Sequence, residues 1–143
     1  MEIIIALNFA ITSSNRAKIG YTGAVGENLV IPAVFQDGDA WYRVTSIDSF
    51  AFYNCSGLTS VVIGDSVKYI GWGTFGGCSG LTSVTIPDSV TVIHDGAFYD
   101  CSGLTSIQYS GTIAEWNAIS KGSNWNSNVP ATKVICSDGE VDI

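Results

Sequence analysis

The hexapeptide CSGLTS occurs three times, beginning at Cys55, Cys78 and Cys101, which sets a strict 23-residue period. Residues 55–77 and 78–100 are identical at 14 of 23 positions, with Cys, Leu, Val, Ile, Val, Ile, Gly and Phe recurring in phase. A period of this length is the signature of a solenoid, in which one supersecondary unit is repeated and stacked.

The phase continues on both sides of the obvious repeats. Val44, Ile47 and Phe52 precede Val67, Ile70 and Phe75, and these precede Val90, Ile93 and Phe98. Leu104, Ile107 and Tyr109 follow the positions of Leu58, Val61 and Ile63, and of Leu81, Val84 and Ile86, before the pattern dissolves. The array therefore has about three turns, preceded by a degenerate repeat and closed by caps.

Within a unit, LTSVTI alternates apolar and polar residues from its Val onward, as a strand with one buried face does. SVTVI, beyond the turn IPD or IGD, reads as a second short strand. GAFYDC or GTFGGC is too short for a helix and reads as one irregular or 3₁₀ turn. One such unit cannot bury its apolar edge alone. Stacked units put Leu on Leu, Val on Val and Phe on Phe, with strands of successive coils about 4.8 Å apart.

Composition agrees with a packed chain: 46% of residues are hydrophobic and 13% charged, which excludes disorder. A formal charge of −7 repels phosphate backbones and anionic headgroups, so neither nucleic acid nor a membrane surface is an expected partner. The start MEIIIALNFAI opens with Glu2 instead of a basic stretch, and no small-residue cleavage site follows. It reads as a first β-strand and not as a signal peptide. No segment has the run of about 18 apolar residues needed to span a membrane as a helix, so a surface destination would require a leader or anchor not visible in this sequence.

LTSVTIPDSVTVIHDGAFYDCSGL resembles the BspA-like leucine-rich repeats of bacterial surface proteins in its IPDSV turn, its xAFxxCxxL corner and its spacing. NLVIPAVFQDGDAWYRVTSIDSFAFYNC is similar to the N-terminal approach of that family: an IP-containing strand, a hairpin turn, then YxVTxI leading to AFxxC. YSGTIAEWNAISKGSNWNSNVPATKVICSDGEV is similar to its ending, a GTxxEW segment, a short helix and a final VxCxDG strand. Gly64 in place of the turn proline, and Gly71-Trp72 in the corner, depart from the family pattern.

The resemblance implies a mainly β fold: a short right-handed leucine-rich-repeat solenoid with a capping β-hairpin at the N-terminus and a small helix-plus-strand cap at the C-terminus. Residues 1–143 are expected to form one domain, with the N-terminal cap and degenerate repeat over 1–43, repeats over 44–109 and the C-terminal cap over 110–143. NFAITSSNRAKIGYTG suits the capping hairpin, with its turn at SSNR. The resemblance further implies cell-surface or extracellular display, adhesion or protein binding, and no catalytic residues in the repeat. A virion surface is a second possible location.

The residue types that carry chemistry are sparse. Cys55, Cys78 and Cys101 lie one repeat apart, without a CxxC pair, and read as a ladder of buried thiols; Cys136 falls in the capping strand. A disulfide between neighbouring rungs, or a metal, are the alternatives. His94 precedes Asp95 at a corner and reads as surface variation, metal binding with Asp95 and Asp100 being the other reading. The glycines of GYTGAVGEN lack phosphate-loop spacing, and Asp37-Gly38-Asp39 reads as a hairpin turn rather than a calcium loop. No metal or cofactor is expected.

What remains is surface. Ser60, Ser83 and Ser106 should form one outward row, with Val62, Thr85 and Gln108 two residues further on and Lys68 and Thr91 on the second strand. Trp72 stands where neighbouring repeats carry Ser49 and Asp95, so no core demand accounts for it; Phe50 is the candidate to pack against it. Trp116 and Trp125 are expected in the core of the cap, and Trp41 with Tyr42 at the closure of the hairpin. These readings lead to a non-catalytic interaction module that recognises a protein or glycan ligand through the strand face or the Trp72 corner. The alternative is a self-assembling structural component of a surface layer or phage particle.

Overall fold

The structure, a computed structural model, describes residues 7–13, 16–21 and 27–143. The chain order is β1 (Leu7–Ser13), β2 (Arg16–Tyr21), β3 (Asn28–Ile31), β4 (Val34–Asp37), β5 (Ala40–Ile47), β6 (Ser60–Ile63), β7 (Tyr69–Ile70), β8 (Ser83–Ile86), β9 (Val92–Ile93), β10 (Ser106–Tyr109), α1 (Ile113–Ala118), β11 (Ser120–Lys121), β12 (Lys133–Cys136) and β13 (Gly139–Asp142). Two sheets run the length of the coil, ordered β1-β2-β5-β7-β9-β11 and β13-β12-β10-β8-β6-β3. Each repeat contributes one strand to each sheet, and neighbouring repeats pair in parallel, Val61 beside Val84 and Val84 beside Ile107. This is the short solenoid that the period predicts.

The stacking puts like side chains in continuous columns. Leu58, Leu81 and Leu104 are buried, as are Val61, Val84 and Ile107, Ile47, Ile70 and Ile93, and Phe52, Phe75 and Phe98. The three phenyl rings stack face to face at 5.4 and 5.3 Å. Trp125 meets Phe98 edge-on, Trp116 meets Trp125, and Tyr109 meets Trp116, so the aromatic column runs unbroken into the C-terminal cap.

The corner after each β5-type strand repeats a hydrogen-bond alternation. The amides of Gly73, Phe75 and Gly77 donate to Asp95, Ala97 and Tyr99 of the next coil, while those of Thr74, Gly76 and Cys78 donate three residues back within their own coil. Every second amide ties coil to coil and the others close tight turns, so this buried backbone leaves no donor orphaned. The i→i−3 bonds agree with the expected 3₁₀-like turn. The second strands are shorter than SVTVI suggests, because the Val67 and Val90 amides close turns onto Gly64 and Pro87. The strands proper are Tyr69–Ile70 and Val92–Ile93, and the Lys68 and Thr91 amides ahead of them donate to the Thr45 and Lys68 carbonyls of the preceding coil.

At the N-terminal end β1 and β2 form an antiparallel hairpin, Leu7 opposite Tyr21 and Ser13 opposite Arg16. Residues 1–6 of the apolar start, and Ser14 and Asn15 of the expected turn, lie outside the described residues. β4 and β5 form the inserted hairpin, whose two-residue loop has Gly38 at φ +60. A Gly at the first loop position with positive φ is the requirement of a type II′ turn. Tyr42 stacks on Phe35 at 5.3 Å, whereas Trp41 is 61% exposed. Tyr42 alone closes the hairpin; Trp41 falls on its outward face because side chains alternate along a strand.

At the other end α1 begins with a capping box: the Thr112 hydroxyl accepts from the Glu115 amide, and the Glu115 carboxylate accepts from the Thr112 amide. Lys121, paired beside Ile93, takes the place of an inward isoleucine. Its ammonium donates to the Trp116 and Ile119 carbonyls at 2.7 and 3.2 Å and lies 4.7 Å from the centre of the Trp116 ring. Burial lowers its pKa.

Candidate functional site

Two exposed surfaces emerge from this scaffold. The first is the outer face of the β3-β6-β8-β10-β12 sheet. Register puts Asn28, Ser60, Ser83 and Ser106 in one row and Val30, Val62, Thr85, Gln108 and Ile135 in the next. The rows expected from the period are therefore real, and they extend onto both caps. The Ser60 hydroxyl donates to Asn28 Oδ1 at 2.6 Å. Thr85 and Gln108 border a shallow depression of about 290 Å³ with Tyr109, Ser110, Ile135, Cys136 and Ser137. Val30, Val62 and Ile135 leave apolar area exposed at intervals along an otherwise hydrogen-bonding face.

The second surface is the corner edge of the coils. Phe50, Tyr53, Trp72 and Tyr99 are all exposed, Phe50 to 61% and Trp72 to 51%, yet they converge on one open cleft of about 500 Å³. Gly73, Gly76 and Gly96 line it as well, with Asp95, Ser123 and Asn124. Phe50 and Tyr53 meet edge to face at 5.7 Å. A Cβ on Gly73 would stand 2.5 Å from Phe50 Cε1, and one on Gly76 would stand 3.1 Å from the Tyr53 ring. The rings of one coil thus rest on the bare backbone of the next.

Trp72 does not pack on Phe50 as expected. Its indole lies against His94, centroids 4.4 Å apart, because the next coil brings the His94 side chain alongside while Phe50 leans over Gly73. Only a backbone bond links Phe50 to Trp72, the Phe50 amide donating to the Trp72 carbonyl at 2.8 Å.

Phe50 also holds a conformation that its neighbours in phase do not impose on a side chain. It has φ 58, and the equivalent residues one and two repeats on are Gly73 at 56 and Gly96 at 65. A bulky residue in the left-handed region stores roughly 1–3 kcal/mol of strain, and such outliers gather at functional positions. A second left-handed column, Asn54, Gly77 and Asp100, uses glycine or short polar side chains, as that geometry prefers.

The polar side of the cleft is partly unspent. Asp95 Oδ1 accepts from the Ser123 amide at 2.9 Å, and Asn124 Oδ1 accepts from the Ser127 hydroxyl at 3.1 Å. The other Asp95 oxygen, the Ser123 hydroxyl and the Asn124 amide nitrogen form no hydrogen bond among the described residues.

The cysteines form a separate, closed system. Cys78 and Cys101 donate to the Phe52 and Phe75 carbonyls of the preceding coil, both at 3.0 Å. All four cysteines are free thiols. Burial pushes Cys78 and Cys101 up to about 12, so they behave as small apolar side chains. Among the described residues no group of three or more His, Cys, Asp or Glu side chains gathers as a metal site, and His94 is engaged with Trp72. Among the same residues no helix is long and apolar enough to cross a membrane.

Both departures from the repeat pattern have local causes. A Cβ on Gly64 would stand 2.5 Å from the Ala33 amide nitrogen, and one on Gly71 would stand 2.6 Å from that of Ser49. The backbone of the preceding coil runs too close for a side chain at either position.

Comparison with known proteins agrees with this architecture. The chain is similar in fold to a leucine-rich repeat protein from Bacteroides capillosus (TM-score 0.75, 24% identity), over 95% of this chain and 97% of that one. It is similar to one from Bacteroides ovatus (TM-score 0.71, 25% identity) over 94% of this chain, spanning only 33% of that protein. It also resembles the T. pallidum Leucine Rich Repeat protein (TM-score 0.70, 24% identity), over 90% of this chain and 67% of that one. No curated protein matches the sequence. The BspA type Leucine rich repeat region matches residues 40–131 in six copies, and with that pattern over more than half its length the chain belongs to the BspA-type leucine-rich-repeat family.

Proposed function

We propose that this protein is a non-catalytic recognition module that binds a protein partner through the outer face of its β3-β6-β8-β10-β12 sheet, in adhesion at a cell surface. The observation that supports this reading is the registered array of half-buried Ser60, Ser83 and Ser106 beside half-buried Thr85 and exposed Val62 and Gln108. Hydroxyl and amide groups occupy the middle of that face, and the exposed Val30, Val62 and Ile135 stand towards its two ends. A preorganised face of this kind loses little freedom on binding. Repeat modules use such extended faces for partners, and the family's repeats are typically non-enzymatic.

The competing reading, a self-assembling component, finds opposition at the C-terminal end. The outermost strand β13 carries Glu140 and Asp142, and β11 carries the inward Lys121. Charges on edge strands discourage further stacking.

The test is an array of purified extracellular proteins probed with the chain, followed by the triple variant S60E/S83E/S106E. Saturable binding lost in the triple variant, with unchanged thermal stability, supports the strand face. A silent array together with concentration-dependent oligomers in light scattering overturns it in favour of assembly.

A further inference from the structure

We infer that the corner cleft is a carbohydrate subsite that takes one neutral hexopyranose unit, with Phe50, Tyr53, Trp72 and Tyr99 supplying the apolar walls and Asp95, Ser123 and Asn124 the polar rim. A pyranose presents C–H groups on a face and hydroxyls around its edge. It needs aromatic surface for the first, and both donors and acceptors for the second.

The rim supplies that mixture. Asp95 offers a carboxylate oxygen as acceptor, Asn124 an amide as donor, and Ser123 a hydroxyl as either. Their positions are fixed by bonds already made, Asp95 to the Ser123 amide and Asn124 to Ser127. An apolar side chain of a partner protein would leave all three unused. A quaternary ammonium would use the carboxylate and the rings, but would gain nothing from the donor amide.

The backbone at Phe50 points the same way. The repeat offers glycine at the two following equivalent positions, yet an exposed phenylalanine stands in the left-handed conformation at the edge of the cleft. Its ring covers little core, so the site and not the fold accounts for it. The glycines below fit the same reading: a side chain at 73 would collide with the Phe50 ring, and one at 76 would press on the Tyr53 ring.

The subsite is separate from the strand face, and either can fail without the other. The experiment uses the whole chain and the methyl glycosides of glucose, galactose, mannose and N-acetylglucosamine, followed by saturation-transfer NMR and by the four tryptophan indole resonances. At least one glycoside is expected to bind with a dissociation constant on the order of millimolar, shifting the indole resonance that W72F removes. The variants W72A and F50G should each weaken binding about tenfold or more. F50G should do so with an unchanged or raised Tm, because glycine relieves the left-handed strain. S83E should leave sugar binding intact. No saturable binding by any of the four glycosides, retained binding in both W72A and F50G, or binding of tetramethylammonium in their place would each overturn the assignment. A clear fall in Tm for F50G would show Phe50 to be a structural residue and would overturn it as well.

Discussion

The indole of Trp72 lies against the imidazole of His94, ring centroids 4.4 Å apart and planes inclined by 33°. The contact joins two coils on the surface, outside the core. Replacing His94 by Ala should cost about 0.5–1.5 kcal/mol, the usual range for an aromatic pair, and should shift tryptophan emission to the red as one side of Trp72 becomes wet. Urea denaturation and fluorescence read both effects.

Phe75 is the middle ring of the stacked column, against Phe52 on one side and Phe98 on the other. Phe75→Ala should destabilise by about 3–5 kcal/mol, a large share of the roughly 5–15 kcal/mol that holds a domain together. Chemical denaturation should show the loss in the midpoint. In a stacked array the damage should also spread, with amide exchange accelerating in the coils on both sides.

Gly73 should resist substitution for two separable reasons. Gly73→Ala puts a Cβ at φ 56, costing about 1–2 kcal/mol in the left-handed region, and drives that Cβ into the Phe50 ring. In the Phe50→Gly background the second reason disappears. The penalty for Gly73→Ala should therefore be smaller there, and a double-mutant cycle measures the difference.

The thiols give a pH dependence with a defined sign. Cys78 and Cys101 rise from 9.0 to about 12 on folding. The folded state therefore holds its protons more tightly, and their contribution is fully present below pH 9 and lost as pH climbs towards 12. Stability measured across that window should fall, and should fall less in the Cys78→Ala/Cys101→Ala variant. At pH 8 the half-buried Cys55 should react with a thiol reagent before either of them.

The capping box at Thr112 is local enough to test alone. Thr112→Ala removes the acceptor for the Glu115 amide and should cost about 0.5–2 kcal/mol. Glu115→Gln should cost less, because the amide oxygen still accepts from the Thr112 backbone.

The buried columns were legible because every one of them repeats at the same interval. Phase alone puts Leu58 on Leu81 and Phe52 on Phe75. The rows of Ser60, Ser83 and Ser106 were legible for the same reason. The Trp72 corner was visible only as an anomaly, since its partner His94 depends on how one coil leans against the next. Phe50 is similar: nothing in a single phenylalanine announces a left-handed backbone. The in-phase glycines at 73 and 96 are the sequence signal that carries it. Tyr53 and Tyr99 flank Gly76 in the same manner. Lys121 was hidden because the last coil is longer. α1 shifts the left-handed partner of Gly96 to Asn124, which breaks the alignment that would have matched Lys121 to Ile93.

The corner alternation, with every second amide bonded to the next coil, fixes how this molecule can vary over time. Losing or gaining one residue within a coil would exchange the amides that reach outward with those that turn inward, and would swap buried side chains for exposed ones. The length of the corner is therefore locked, insertions such as α1 falling elsewhere in a coil, while outward identity is free. Each exposed position works as an independent character on a fixed grid, so new surfaces can be written by substitution alone. A library randomised at 60, 62, 83, 85, 106 and 108 should keep its fold while its specificity drifts.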